Sequence, residues 1–140
     1  MYIINIYETR NKGKLMKHKK QAHEQIEQTI KWNKDRGLTP ESLNLKLEVD
    51  MLQEELDEFK EAIIQDDKVA MFDALLDLKF VLTGTMYKLG INAEMQIDGY
   101  EAVLEANKAK LDTKLSTGKI AKSESFKGPE PILKRILERN

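Results

Sequence analysis

The sequence predicts an all-α fold, an antiparallel helical bundle of four main helices with a short helix near the C-terminal end. Three observations lead there. Proline occurs only at Pro40, Pro129 and Pro131, so the long stretch between the first two lacks the residue that breaks helix interiors. Apolar side chains recur at steps of three and four through most of that stretch. Stop and start signals cut the pattern into segments with short connections, and such segments pack antiparallel. The 140 residues are expected to form one domain, 1–140, with no internal repeat and no low-complexity tract.

The opening MYIINIYE is rich in β-branched and aromatic residues and reads as a short strand or an ordered arm, with residues 1–13 forming an N-terminal arm. From about Lys14 to Arg36, Leu15, Ala22, Ile26, Ile30 and Trp32 recur among charges in a helical pattern. Gly37 stops this helix. Thr39-Pro40-Glu41 starts the next, with Thr39 as N-cap and Pro40 at the first helical position. The second helix carries Leu45, Val49, Leu52, Leu56, Phe59 and Ile63, a stripe with alternating steps of four and three. Asp66-Asp67 breaks it. The third helix, about Asp67 to Leu89, is apolar on most faces, which predicts a central position or one sandwiched between partners. Gly90 ends it. A fourth helix from about Ala93 to Leu111 turns Ile97, Tyr100, Val103, Leu104 and Leu111 inward. Residues 112–130 are polar, contain Gly118 and Gly128, and read as a loop or small hairpin. Pro131 to Glu138 is a short amphipathic helix.

Composition narrows the function classes. The chain has no cysteine, which excludes disulfides, thiolate metal sites and thiol nucleophiles. Its net charge is −1, so no overall basic field advertises nucleic acid. No apolar run approaches the roughly 18 residues of a membrane span. The first residues place apolar side chains before lysines, the reverse of a secretory signal. A cytoplasmic protein is expected, with no membrane and no stable nucleic-acid partner.

The third helix carries the chemistry. Between Ala70 and Tyr87 its only charges are Asp73, Asp77 and Lys79. Two aspartates four apart share one face, about 6 Å apart along the axis. Ionised carboxylates held side by side lose hydration and repel each other, and a divalent cation relieves both penalties. The second helix offers Glu54-Glu55-Leu56-Asp57-Glu58-Phe59, with Glu55 and Glu58 flanking the apolar stripe. Counted from the turn at Asp66-Asp67, the glutamate pair and the aspartate pair fall within about 2 Å of one level across a helical hairpin. An exposed acidic face would show the same residue types; the shared level favours a site. Glu55, Glu58, Asp73 and Asp77 would then form an all-oxygen centre for Mg²⁺, with Mn²⁺ as a substitute and room for one ion or two.

These residues resemble the MazG-like all-α nucleoside triphosphate pyrophosphohydrolases. EELxEF followed by DxxxD on the next helix is similar to that family's acidic pattern. Asn107-Lys108-Ala109-Lys110-Leu111 resembles its Asn-x-x-Lys-Leu segment, and Gly118-Lys119 with Phe126-Lys127-Gly128-Pro129 resembles its closing stretch. The resemblance covers roughly residues 14 to 132. One departure stands out: the family's ExxD would put Glu at position 74, where this chain has Ala74, and Asp73 is the nearest stand-in. The resemblance implies Mg²⁺-dependent attack of water on the α-phosphorus of a (deoxy)nucleoside triphosphate, giving monophosphate and pyrophosphate. Glu54 or Glu55 would take the water's proton. Asn107 and Lys110, three apart, would hold phosphate oxygens, and Lys119 and Lys127 would close over pyrophosphate, with Lys122 read as a solubilising charge. Family members are commonly dimers or tetramers, and an apolar third helix agrees with a homodimer or homotetramer.

Other features carry less. No GxxxxGK loop is present. His18 and His23 read as helix-surface residues. Lys17-His18-Lys19-Lys20 reads as a solvated face. Trp32, the only tryptophan, can stack on a base or fill core. The alternatives within reach are a narrower pyrophosphatase for dUTP, dCTP or a modified nucleotide, and, from another class, a helical oligomerisation or adaptor protein with an acidic patch.

Overall fold

The computed structural model describes residues 2–139, with side chains from residue 8 onward. Its regular elements are helices: α1 (Tyr2–Lys34), a 3₁₀ turn at Pro40–Ser42, α2 (Leu45–Ile64), α3 (Lys68–Lys88), α4 (Ala93–Lys108) and α5 (Glu130–Leu137). No strand is formed among the described residues. The chain divides into two compact units, Met1–Ala93 and Glu94–Asn140.

Two boundaries in the first unit correct the expectations. Residues 2–8 belong to α1, so the strand or arm expected at MYIINIYE is instead the first two turns of a 33-residue helix. The β preference of its isoleucines and tyrosines depends on cross-strand neighbours, and no strand among the described residues supplies one. The second helix starts at Asn44 and not at Thr39. Ser42 Oγ accepts the Thr39 amide N–H and donates back to the Thr39 carbonyl, both at 2.9 Å, closing a single 3₁₀ turn. Leu43 is then extended (ψ 125°). Asn44 restarts the helix, its side chain accepting the Leu47 amide at 3.2 Å.

In the first unit α2 and α3 form a tight hairpin. Asp66 takes the left-handed conformation (φ 52°). The Asp67 carboxylate caps α3 by accepting the Ala70 amide at 3.0 Å. The face that α2 turns inward carries Glu48, Leu52, Glu55, Phe59 and Ala62. At 100° per residue that face is rotated by roughly 60° from the apolar stripe. Leu45, Val49, Leu56 and Ile63 are therefore left exposed. Helix α1 also packs on α3. Gly84 permits this approach: a Cβ there would lie 3.0 Å from Nδ2 of the buried Asn33.

Helix α3 is covered only in part, by α2 and α1. Ala74, Thr83, Gly84 and Lys88 are buried, while Val69, Phe72, Leu75, Leu76 and Leu82 are exposed. The buried apolar set of the first unit is small, comprising Ile30, Ala62, Ala74 and Ala93.

In the second unit, α4 ends at Lys108, short of the expected Leu111. The Leu111 amide bonds the Ala121 carbonyl at 3.1 Å, drawing the chain into the loop. Residues 112–129 form the loop expected over 112–130, with a minimal hairpin, a single antiparallel bridge between Lys114 and Ile120 turning at Gly118 (φ 84°), and Glu130 already opens α5. Met95, Ala102 and Ile136 are buried, and Arg139 bonds Asp98 at 2.6 Å.

Candidate metal centre

Helix geometry alone places the carboxylates. Glu55 and Glu58 lie about ten residues before the turn on α2, and Asp77 lies about ten after it on α3. In an antiparallel hairpin those positions face each other. One carboxylate oxygen from each of Glu55, Glu58 and Asp77 lies within 4.8 Å of the others. Asp73 lies outside this group and is exposed, so the expected convergence of four carboxylates becomes three. Asp73 precedes Asp77 by four residues and is rotated from it by about 40°, toward the solvent side of α3. Ala74, where the resembling family places Glu, is buried.

Glu55 is perturbed by this arrangement. It is half-buried, and its Oε2 atom is buried without a hydrogen-bond partner. Its carboxyl is held above the ordinary glutamate range. Loss of hydration is the first cause; the charges of Glu58 and Asp77, a hydrogen bond with Glu58 and the charge of Glu54 add to it. A buried, unpaired carboxylate oxygen facing two other acids lacks a positive partner. The donors are all hard oxygens, and they fit Mg²⁺ or Mn²⁺ better than a softer ion. Glu54 is exposed beside them and helps line a shallow acidic trough with Asp50, Gln53, Asp57, Glu58 and Glu61.

Trp32 belongs to the same unit. Its ring meets Phe80 edge-on with centroids 5.1 Å apart, and the Arg36 guanidinium lies 4.1 Å from the indole centroid. Phe80 follows Asp77 by three residues, so the aromatic pair meets α3 about 4.5 Å along the axis from the aspartate. Trp32 keeps 40% of its surface exposed, so it is not a core residue.

Asn107, Lys110, Lys119 and Lys127 lie in the second unit. Asn107 is exposed, and its amide Nδ2 donates to the Val103 carbonyl at 2.8 Å. Lys110 falls beyond the end of α4, so the shared helical face expected for Asn107 and Lys110 is not formed. Lys119 and Lys127 are exposed on the loop, and the Lys122 ammonium lies 5.2 Å from the Phe126 ring. His23 lies 3.8 Å from Glu27 on the partly exposed surface of α1, in keeping with a helix-surface residue.

The sequence reading missed a buried ion pair. Glu48 and Lys88 form an ion pair across the α2–α3 interface, both almost fully buried, and Thr85 Oγ1 donates to Glu48 Oε2 at 2.7 Å. The available signal was positional: Glu48 precedes Glu55 by seven residues and so shares its face.

No helix among the described residues is long and apolar enough to cross a membrane. No curated protein matches the chain. Residues 15–108 match the family model described as phosphoribosyl-ATP pyrophosphohydrolase. The match takes in α2, α3 and all three converging carboxylates, and it stops before Lys110, Lys119 and Lys127.

Proposed function

The chain belongs to the phosphoribosyl-ATP pyrophosphohydrolase family, and from that premise we propose that it hydrolyses a nucleotide triphosphate group in a Mg²⁺-dependent reaction that releases pyrophosphate. The observation that carries the reading is the convergence of Glu55, Glu58 and Asp77 from two adjacent helices inside the matched segment. Glu55, Glu58 and Asp77 would hold the ion, with Asp73 as an outer anchor through water. The bound ion would neutralise the triphosphate and lower the pKa of the attacking water.

The remaining steps fall to the chain's own residues. Water attacks the α-phosphorus, the bond from that phosphorus to the α,β-bridging oxygen breaks, and pyrophosphate leaves. Glu54, exposed beside the centre, takes the water's proton; a Glu55 carboxylate engaged with the ion is the less available base. Trp32, which keeps 40% of its surface exposed, would stack on a base. Asn107, Lys110, Lys119 and Lys127 are retained as phosphate contacts on the strength of the MazG-like resemblance.

Two substrate readings share this chemistry. The Asn107–Leu111 and Lys127–Pro129 segments favour a plain (deoxy)nucleoside triphosphate, as in the MazG-like enzymes. The family match favours phosphoribosyl-ATP. Incubation of the protein and Mg²⁺ with each nucleotide in ¹⁸O-water decides both questions. The expected products are a monophosphate carrying the label and unlabelled pyrophosphate. Diphosphate with orthophosphate would overturn the reaction class, and no turnover of any triphosphate would return the chain to a binding or adaptor role.

A further inference from the structure

We infer that Glu48, Thr85 and Lys88 form a buried clamp that sets the rotation of α2 against α3 and thereby keeps Glu55 and Glu58 turned toward Asp77, an inference that rests on the metal reading of those three carboxylates. Glu48 keeps 3% of its surface exposed and Lys88 5%. Glu48 accepts from Lys88 at Oε1 and from Thr85 Oγ1 at Oε2, so each carboxylate oxygen is satisfied by a group on the opposite helix.

The short turn between Ile64 and Lys68 fixes the height of α2 against α3 but not its rotation. The most buried apolar contributors to this interface, Ala62 and Ala74, are small, and Leu52 and Phe59 are only half-buried. Small side chains make shallow ridges, which hold a helix weakly against rotation. The apolar stripe pulls the other way, because Leu45, Val49, Leu56 and Ile63 are exposed and its centre lies about 60° from the inward face. Turning α2 by that angle would bury the stripe and swing Glu55 and Glu58 away from Asp77, dispersing the centre.

The clamp opposes such a rotation because the cost is discontinuous. Turning Glu48 away from Lys88 leaves two buried charges without partners, which is far worse than leaving the pair intact or replacing both members by neutral groups. Buried ion pairs add little net stability, and their best-attested use is to specify one arrangement of packed elements. Glu48 lies two turns from Glu55 on the same face, about 10.5 Å away, too far to touch the ion itself. Glu48, Thr85 and Lys88 are therefore positioning residues, and they act through helix α2.

The test uses the double variant Glu48→Gln/Lys88→Met, which removes both charges at nearly constant volume. Mn²⁺ binding is followed by the paramagnetic resonance of the free ion, and folding by thermal melts in EDTA. The expected result is a melting temperature close to that of the unaltered protein with Mn²⁺ affinity reduced about tenfold or more, the range seen when supporting groups of a metal site are removed. A purely structural pair would move the melt and leave Mn²⁺ affinity unchanged, and that result overturns the inference. Should the double variant fail to fold, Thr85→Val carries the test. It deletes one hydrogen bond to Glu48 and should weaken Mn²⁺ several-fold, with Thr85→Ser restoring it; unweakened binding by Thr85→Val again overturns the clamp. Absence of Mn²⁺ binding by the unaltered protein would instead remove the metal reading, and the clamp with it.

Discussion

Replacing Asp77 by asparagine should make the metal-free protein more stable and the metal-loaded protein less so. Oxygens of Asp77, Glu55 and Glu58 lie within 4.8 Å of one another. Two unit charges at that separation repel by about 0.9 kcal/mol in water and by about 3.5 kcal/mol at an effective dielectric of 20. Glu58 is exposed and Glu55 only half-buried, so the lower figure governs. Asp77→Asn removes two such repulsions, and the metal-free fold should gain about 1–2 kcal/mol, roughly 3–8 °C for a chain of this size. Mg²⁺ reverses the order. An ion at 100 times its dissociation constant stabilises the unaltered protein by about 2.7 kcal/mol, and a site deprived of one carboxylate gains far less. Thermal melts followed by circular dichroism, in EDTA and in millimolar Mg²⁺, read both effects, and a turnover assay should show activity abolished. An Asp77→Asn protein that melts below the unaltered chain in EDTA, or gains as much from Mg²⁺, would refute the reasoning.

Three further outcomes are expected. Glu55 titrates above its ordinary value because the fold withholds water from it and surrounds it with acids, so its penalty on metal-free stability is complete above the raised value and fades as pH falls toward 4.5. Glu55→Gln should accordingly stabilise the metal-free protein at neutral pH, by a margin that shrinks on acidification; a margin constant with pH would contradict the assigned cause. Gly84→Ala would place a Cβ 3.0 Å from Asn33 Nδ2 and 3.2 Å from its Oδ1. The melt should fall by an amount equivalent to about 1–2 kcal/mol, although alanine is the better helix former, and a raised melt would show that Asn33 yields freely. Sedimentation equilibrium at micromolar protein should give a multiple of 16.2 kDa, because the exposed side of α3 and the outer edge of α2 carry Phe72, Leu76, Leu82, Val49, Leu56 and Ile63; a mass near 16.2 kDa would refute a homo-oligomer.

The all-helical fold and the cluster of carboxylates were both legible in the sequence; the rotation of the helices was not. Glu55, Glu58 and Asp77 followed from two facts readable in one dimension: helical rise, and the position of the Asp66-Asp67 break. An antiparallel hairpin converts distance from its turn into height, and the level of these residues required no knowledge of packing. The azimuth did require it. Asp73 and Asp77 differ by only about 40°, and which of them faces α2 depends on how α3 is rotated. That rotation is fixed partly by Gly84 against Asn33, a contact between residues far apart in sequence that leaves no periodic trace.

The same blindness to azimuth explains the apolar stripe of α2. Hydrophobic periodicity marks the face a helix withdraws from water in its final assembly, and within one chain that face need not meet another helix. Here the inward face of α2 carries Glu48 and Glu55, while the stripe's edge stays exposed. Read as a core signal, the stripe misplaces the helix. Read as a signal of total burial, it agrees with an interface that a second copy would complete, and it leaves the α2–α3 contact free to hold polar groups. A metal centre built from glutamates and aspartate needs such a polar interface. An apolar stripe packed squarely between α2 and α3 would have turned Glu55 toward solvent.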